Sequence, residues 1–117
     1  MSEAQLAQRR SALQQANRVR TMRRNWKQDQ RTLSRAAGSQ RAADLLAEFP
    51  DWCHTWAPSD MVRSISWMGP KRCHQLMHAC RISAHRATLS GIGMERRQLL
   101  IHQLRKLAAH PQAGEPR

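Results

Sequence analysis

The chain is short and strongly basic, which narrows the classes of protein it can belong to. Its 117 residues include 20 Lys and Arg against 8 Asp and Glu, for a formal net charge of +12. This length allows one small domain plus an extension. A positive field attracts polyanions, with nucleic acid the first candidate partner and a membrane surface the second. No apolar run approaches the roughly 20 residues of a membrane span, and no signal peptide is evident, so we expect a cytoplasmic protein without membrane contact.

The charge is distributed in three blocks. Residues 1–35 hold nine bases and two acids, residues 36–58 one base and three acids, and residues 59–117 ten bases and three acids. Two basic arms around a mildly acidic middle suit a ligand that is touched in two places.

The N-terminal arm has the composition of a helix. Residues 3–35 lack Gly and Pro and are rich in good helix formers, so they predict one long basic helix (residues 1–37), which Gly38 and Ser39 close. Its apolar stripe is incomplete, and we expect it to dock weakly and to be removable without unfolding a core that begins at Leu45. The bases that could lie against DNA phosphates are Arg18, Arg20, Arg23, Arg24 and Lys27; the alternative is a solvated face or a frayed tail.

Short helices follow. Ser39 is expected to cap a helix over residues 40–48, and Ser59 one over residues 61–67. Large apolar side chains cluster here, and filling the core is favoured over stacking on bases or docking on another protein. They are Phe49, Trp52, Trp56, Met61 and Trp67.

Two further helices, over residues 73–82 and 95–104, each begin at a glycine turn. Helix N-termini carry free N–H groups and partial positive charge, and bases stand beside both turns, which suggests a phosphate clamp. These bases are Lys71, Arg72, Arg96 and Arg97. Strand signals are absent, so the fold is predicted to be all-α, with a helical domain over residues 39–107 and a disordered tail over residues 108–117.

Neither a cofactor nor catalysis is expected. The three cysteines, Cys53, Cys73 and Cys80, are predicted to be reduced and buried, with Cys73, Leu76, Met77, Cys80 and Ile82 forming the apolar stripe of a helix and His74 and His78 outside it. Zinc is an alternative that lacks finger spacing. No carboxylate pair, oxyanion motif or phosphate-binding glycine loop is present, so we expect no enzyme.

The sequence also carries a family resemblance. Residues 62–72, the helix over 73–82, and Leu89-Ser90-Gly91-Ile92-Gly93 with the helix that follows resemble the helix-two-turns-helix region (about residues 61–107) of actinobacterial, mycobacterial-type integration host factor. The order of the elements is similar over roughly 100 residues, but the specific part covers about forty. The resemblance implies an all-helical nucleoid-associated protein of the bacterial cytoplasm, host or phage encoded, that binds and bends duplex DNA with weak sequence preference.

The resemblance assigns roles to individual positions. Gly69, Lys71 and Arg72 match the first glycine turn, and Gly91 and Gly93 the second. Where the family carries an arginine cluster before the second turn, this chain has Ala87, Thr88 and Ser90, which leaves Arg86 as the one base nearby and Ser90 as a candidate phosphate contact.

The expected function is therefore architectural DNA binding, with the recombination or transcription machinery as a candidate partner. Two alternatives stay open. One is binding of structured RNA, because similar helical modules occur in a ribosomal protein. The other is a phage protein that docks on a host protein through the tryptophans.

Overall fold

The fold is all-helical, as predicted. The computed structural model describes residues 2–83 and 87–110, in which five α-helices and one short 3-10 helix occur and no strand is found. The helices are α1 (Glu3–Arg31), α2 (Arg35–Glu48), α3 (Pro58–Arg63), α4 (Pro70–Ala79) and α5 (Gly93–Ala109); the 3-10 helix spans Asp51–Cys53. Helix α2 packs along α5, α3 against α4, and α1 against the 3-10 helix. No helix in these ranges is long and apolar enough to cross a bilayer.

Helix α1 begins at a capping box and ends earlier than predicted. The Ser2 hydroxyl accepts a bond from the Gln5 N–H, and the Gln5 side chain accepts one from the Ser2 N–H. The helix stops at Arg31 and not near residue 35, because Ser34 caps α2 by accepting a bond from the Ala37 N–H.

Gly38 and Ser39 were predicted to separate the first two helices, and this prediction is wrong. Both residues are buried inside α2. Gln30 of α1 donates a hydrogen bond to the Gly38 carbonyl at 3.0 Å, and a Cβ atom on Gly38 would stand 3.4 Å from Ile65. The small residues therefore permit close helix packing, a tertiary requirement that a local turn signal does not distinguish from a cap.

Other helix boundaries also differ from the predictions. Helix α3 begins at Pro58 with Ala57 as its N-cap, so Ser59 is not a cap, and it ends at Arg63 before a series of tight turns. Helix α4 runs from Pro70 to Ala79 and is closed by Cys80, one turn earlier than predicted. Helix α5 continues to Ala109, so residues 108 and 109 are helical; residues 111–117, which complete the predicted tail, lie outside the described residues.

The core contains the predicted cysteine stripe and most of the tryptophans. Every member of the predicted stripe is buried, although Cys80 and Ile82 lie just beyond the end of α4, and His74 and His78 are exposed, as expected. Trp52 and Trp56 are core residues, but Trp67 is 64% exposed. The expectation that the core begins at Leu45 is wrong, since Trp26 of α1 is 5% exposed and packs edge-on against Trp56 with ring centroids 5.4 Å apart.

The two halves of α1 should therefore respond differently to deletion. Residues 2–15 are all exposed, so removing them should change the free energy of unfolding by less than about 1 kcal/mol. Removing residues 1–35 deletes Trp26, whose loss alone should cost about 3–5 kcal/mol. Thermal unfolding followed by circular dichroism should show a cooperative transition for the short deletion and none for the long one. Equal behaviour of the two truncated proteins would contradict this division of α1.

Candidate nucleic-acid interface

Part of the basic charge on α1 attaches this helix to the rest of the protein. Arg23 donates from Nε to the Trp52 carbonyl at 3.3 Å and from Nη2 to the Thr55 hydroxyl at 2.6 Å, and its guanidinium lies 5.8 Å from the centre of the Trp56 ring. Lys27 Nζ is 2.8 Å from an Asp60 carboxylate oxygen and 5.9 Å from the same ring. These contacts combine ion pairing with cation–π attraction on a desolvated indole.

Three of the five α1 bases predicted to contact DNA thus have partners outside α1. Arg18 is the third, with an ion pair to Asp51 at 3.5 Å that is largely exposed and therefore weak. Arg20 bonds only to the Asn17 side chain, at 3.4 Å, and Arg24 is exposed without an ion pair among the described residues. Arg20 and Arg24 are the predicted α1 bases that face solvent without an acidic partner.

A third arginine on this flank of α1, Arg31, was not among the predicted DNA contacts. At about 100° per residue, Arg20, Arg24 and Arg31 fall within about 40° of one another around the helix axis. Arg31 is exposed and has no ion pair in the described part of the chain. Its spacing of seven residues from Arg24, which places both on one face of a helix, was the available sequence signal.

This flank of α1 forms one wall of an open groove. A cleft of about 920 Å³ lies between the C-terminal part of α1, helix α3 and the turn over residues 64–69, and a depression of about 310 Å³ continues from it along α1. We call this surface the basic groove and define it by Arg20, Arg24, Arg31, Arg63 and Trp67. Asp60 is the acidic residue among those lining the cleft, and Lys27 pairs with it. The remaining charge in the groove is positive.

The first glycine turn stands at one end of the basic groove. Gly69 lines the cleft and is the N-cap of α4, where no side chain caps the free N–H groups of Lys71 and Arg72. The Lys71 side chain is exposed. The Arg72 side chain differs: its Nη1 atom is buried without a hydrogen-bond partner among the described residues, and the residue lines a cavity between α2, α4 and α5. In this conformation Lys71 is available to a phosphate and Nη1 of Arg72 is not.

The second glycine turn uses its N–H groups internally. The Leu89 N–H bonds to the Trp56 carbonyl and the Ser90 N–H to the His54 carbonyl, both at 2.9 Å. The Gly91 N–H bonds to the Thr88 hydroxyl at 2.9 Å, and the Gly93 N–H to the Ser90 carbonyl at 3.3 Å. The predicted phosphate contact through the backbone of Gly91 and Gly93 is therefore not available here, because the turn satisfies its own donors. The Ser90 side chain is exposed.

The two arginines after this turn differ in the same way as those of α1. Arg97 donates to the Leu89 carbonyl at 3.0 Å and the Ser90 carbonyl at 3.3 Å, and its guanidinium lies 4.2 Å from the centre of the Phe49 ring, so it holds the turn onto the end of α2. Arg96 is exposed, with one contact to the Ile92 carbonyl at 3.5 Å. Arg86, also predicted as a DNA contact, lies outside the described residues.

The cysteines have the environment of structural residues. Burial raises the pKa of all three thiols, that of Cys53 to about 11. A nucleophilic or metal-binding cysteine needs a lowered pKa, because the thiolate is the reactive form. Within residues 2–83 and 87–110, no three His, Cys, Asp or Glu side chains gather to hold a metal ion.

Comparison of the chain with protein-family models, with characterised proteins and with solved structures finds no match. The likeness of α4, α5 and their two turns to a helix-two-turns-helix module stays a prediction from the sequence. The basic groove is the feature of the structure that points to a function.

The two glycine turns should tolerate substitution differently. Gly93 has a φ of +84°, a left-handed conformation that a β-branched residue rarely adopts, whereas Gly69 has a φ of −74° and open space around its Cβ position. Gly93→Val should lower the free energy of unfolding by about 1–3 kcal/mol. Gly69→Ser, which can supply an N-cap hydroxyl, should leave it unchanged or raise it slightly. Urea unfolding of both variants checks this, and equal loss in the two would refute the assigned backbone roles.

Asp60 should make part of the stability pH dependent. Burial alone would raise its pKa, but hydrogen bonds from Lys27 and Trp56 and the nearby positive charge outweigh burial and hold the pKa below its ordinary value. A carboxyl with a depressed pKa stabilises the fold above its ordinary pKa and loses this contribution as pH falls through the lower, folded value. Because the carboxylate is half exposed, we expect less than about 1 kcal/mol. Asp60→Asn should be less stable than wild type near pH 7, and the difference should shrink as the pH falls through the pKa of the carboxyl in the folded protein; a constant difference would contradict the role of the charge.

Proposed function

We propose that this protein binds the backbone of nucleic acid, duplex DNA in the first place, through the basic groove. The observation that carries the proposal is the alignment of Arg20, Arg24 and Arg31 on one flank of α1, beside Arg63 of α3, without an acidic partner in the described part of the chain. Arg23 bonds to the Trp52 carbonyl and lies over the Trp56 ring, whereas these four arginines can meet an external anion.

The arrangement favours binding with weak sequence preference. Arginine and lysine contacts to phosphates position a duplex but do not read its bases. The exposed Lys71 and the uncapped first turn of α4 extend the row of potential phosphate contacts beyond Gly69 at the end of the groove. Binding by charge releases condensed counterions, so its affinity should depend strongly on salt.

The first half of helix α1, outside the basic groove, supplies a second place of contact. This half is exposed on all sides and carries Arg9 and Arg10. The helix is about 43 Å long at 1.5 Å per residue, in a molecule whose longest dimension is 60 Å. A duplex that meets both the basic groove and this arm bends where the two surfaces are not collinear, at a cost of about 1–6 kcal/mol that added phosphate contacts can offset. The architectural, nucleoid-associated part of the proposal comes from the family resemblance.

Removing charge from the basic groove should weaken DNA binding more than removing equal charge elsewhere. Arg24→Ala with Arg31→Ala takes away two potential phosphate contacts and should reduce the slope of log affinity against log salt by about 2. The matched control is Arg105→Ala with Lys106→Ala, two exposed bases near the end of α5 that do not line the groove. Fluorescence anisotropy with unrelated duplexes of equal length, at salt concentrations between about 50 and 200 mM, provides the measurement.

The control pair should lower affinity less than the groove pair and leave the slope nearly as in wild type. Equal effects would mean that general charge, and not the groove, is responsible. Affinity independent of salt in the wild type would refute backbone binding altogether. Competition between duplex DNA and structured RNA decides which polyanion is preferred.

A further inference from the structure

Trp67 is the tryptophan that the core does not use. The other three, Trp26, Trp52 and Trp56, are between 2% and 7% exposed, whereas Trp67 is 64% exposed at the rim of the cleft between α1 and α3. A large exposed aromatic ring gives up favourable burial, and exposed Trp is enriched where a ligand or partner covers it. A structural role in packing the domain does not account for its position.

The backbone holds Trp67 in place at an energetic cost. Its φ is +68°, in the left-handed region that non-glycine residues seldom occupy. Ile65 and Met68 on either side are buried, and the Met68 N–H bonds to the Ile65 carbonyl at 3.1 Å. The Ser66 hydroxyl also bonds to the Gln30 carbonyl of α1 at 3.2 Å. The turn is therefore anchored on three sides, and strain kept by such anchoring is typical of functional positions.

The groups around the Trp67 ring are chemically complementary to a nucleotide. Arg31 and Arg63 line the same cleft without ion pairs among the described residues, and Ser59 lies there as well. Aromatic rings stack on bases of any sequence, and adjacent arginines meet the flanking phosphates. The cleft, about 920 Å³ and open to solvent, falls within the range of volumes in which proteins hold small ligands, roughly 300–1,000 Å³. A fully paired duplex hides its base faces, so a ring can stack only on an unpaired or extruded base.

We propose that Trp67 stacks on an unpaired nucleobase while Arg31 and Arg63 hold the adjoining phosphates. Within duplex DNA, the protein then binds bulged, nicked or kinked sites, which offer an unpaired base, more tightly than fully paired stretches. This inference rests on the proposed function, since it assigns a second class of contact to the basic groove. DNA and RNA share the chemistry, and separate single-stranded DNA and RNA probes distinguish them.

The test compares variants of Trp67 on paired and unpaired probes. Trp67→Gly removes the ring and suits the left-handed backbone, so its melting temperature should equal or exceed that of wild type. Trp67→Phe keeps a stacking ring. Met94→Ala is the matched control, because Met94 is 70% exposed but lies at the start of α5 and outside the cleft. The probes are a single-stranded DNA, the same sequence as RNA, a duplex with a one-base bulge and the fully paired duplex.

Wild type should bind the bulged duplex more tightly than the paired one. Trp67→Gly should lose about 5- to 100-fold in affinity for the unpaired probes and little for the paired duplex, whereas Trp67→Phe should keep most of the preference and Met94→Ala all of it. Tryptophan emission should be quenched by the unpaired probes in wild type and not in Trp67→Phe.

The remaining outcomes overturn one proposal or the other. Salt-dependent binding of the paired duplex without a preference for unpaired probes, or with equal loss on all probes in Trp67→Gly, overturns the stacking role and leaves the proposed function standing. Absence of binding to every probe overturns the proposed function and this inference with it.

Discussion

The docking of α1 on Trp56 is the interaction on which the rest of the structure depends. Trp26 meets the Trp56 ring edge-on, Arg23 and Lys27 lie over the same ring, and Asp60 accepts bonds from both the Trp56 indole N–H and Lys27. Because Asp60 belongs to α3, this cluster fixes the distance between α1 and α3. That distance defines the basic groove, so one mixed aromatic and ionic contact both stabilises the fold and shapes the candidate site.

The basic residues of α1 thus have two different roles. Arg23 and Lys27 lie next to desolvated aromatic surface, where their charges hold α1 in place and are directed at the protein. Arg20, Arg24 and Arg31 are rotated slightly further around the helix, and their charges face solvent. The net charge of +12 therefore overstates the charge that an external polyanion meets on this helix. The same division separates Lys71 from Arg72 and Arg96 from Arg97.

The sequence predicted what depends on local chemistry and missed what depends on tertiary contact. Helix formers without Gly or Pro predicted α1, and the spacing of Cys73, Leu76, Met77 and Cys80 predicted the buried face of α4.

Gly38 was taken for a helix stop because packing against Ile65 and Gln30 has no local signature. Arg97 was read as a phosphate contact because its bonds to Leu89 and Ser90 form only once the chain turns back. The exposed Trp67 had no distinguishing sequence signal among the tryptophans.

The most direct test of the basic groove is an NMR titration of the isotope-labelled protein with a short duplex and with a single strand. Backbone amide and arginine side-chain shifts map contacts without substitution, so a folding defect cannot imitate a binding defect. Binding through the basic groove predicts that the largest changes cluster at residues 20–31, 63–71 and the Trp67 indole, with small changes at Arg97 and along the end of α5. Changes centred on residues 89–97, with residues 20–31 unaffected, would contradict it.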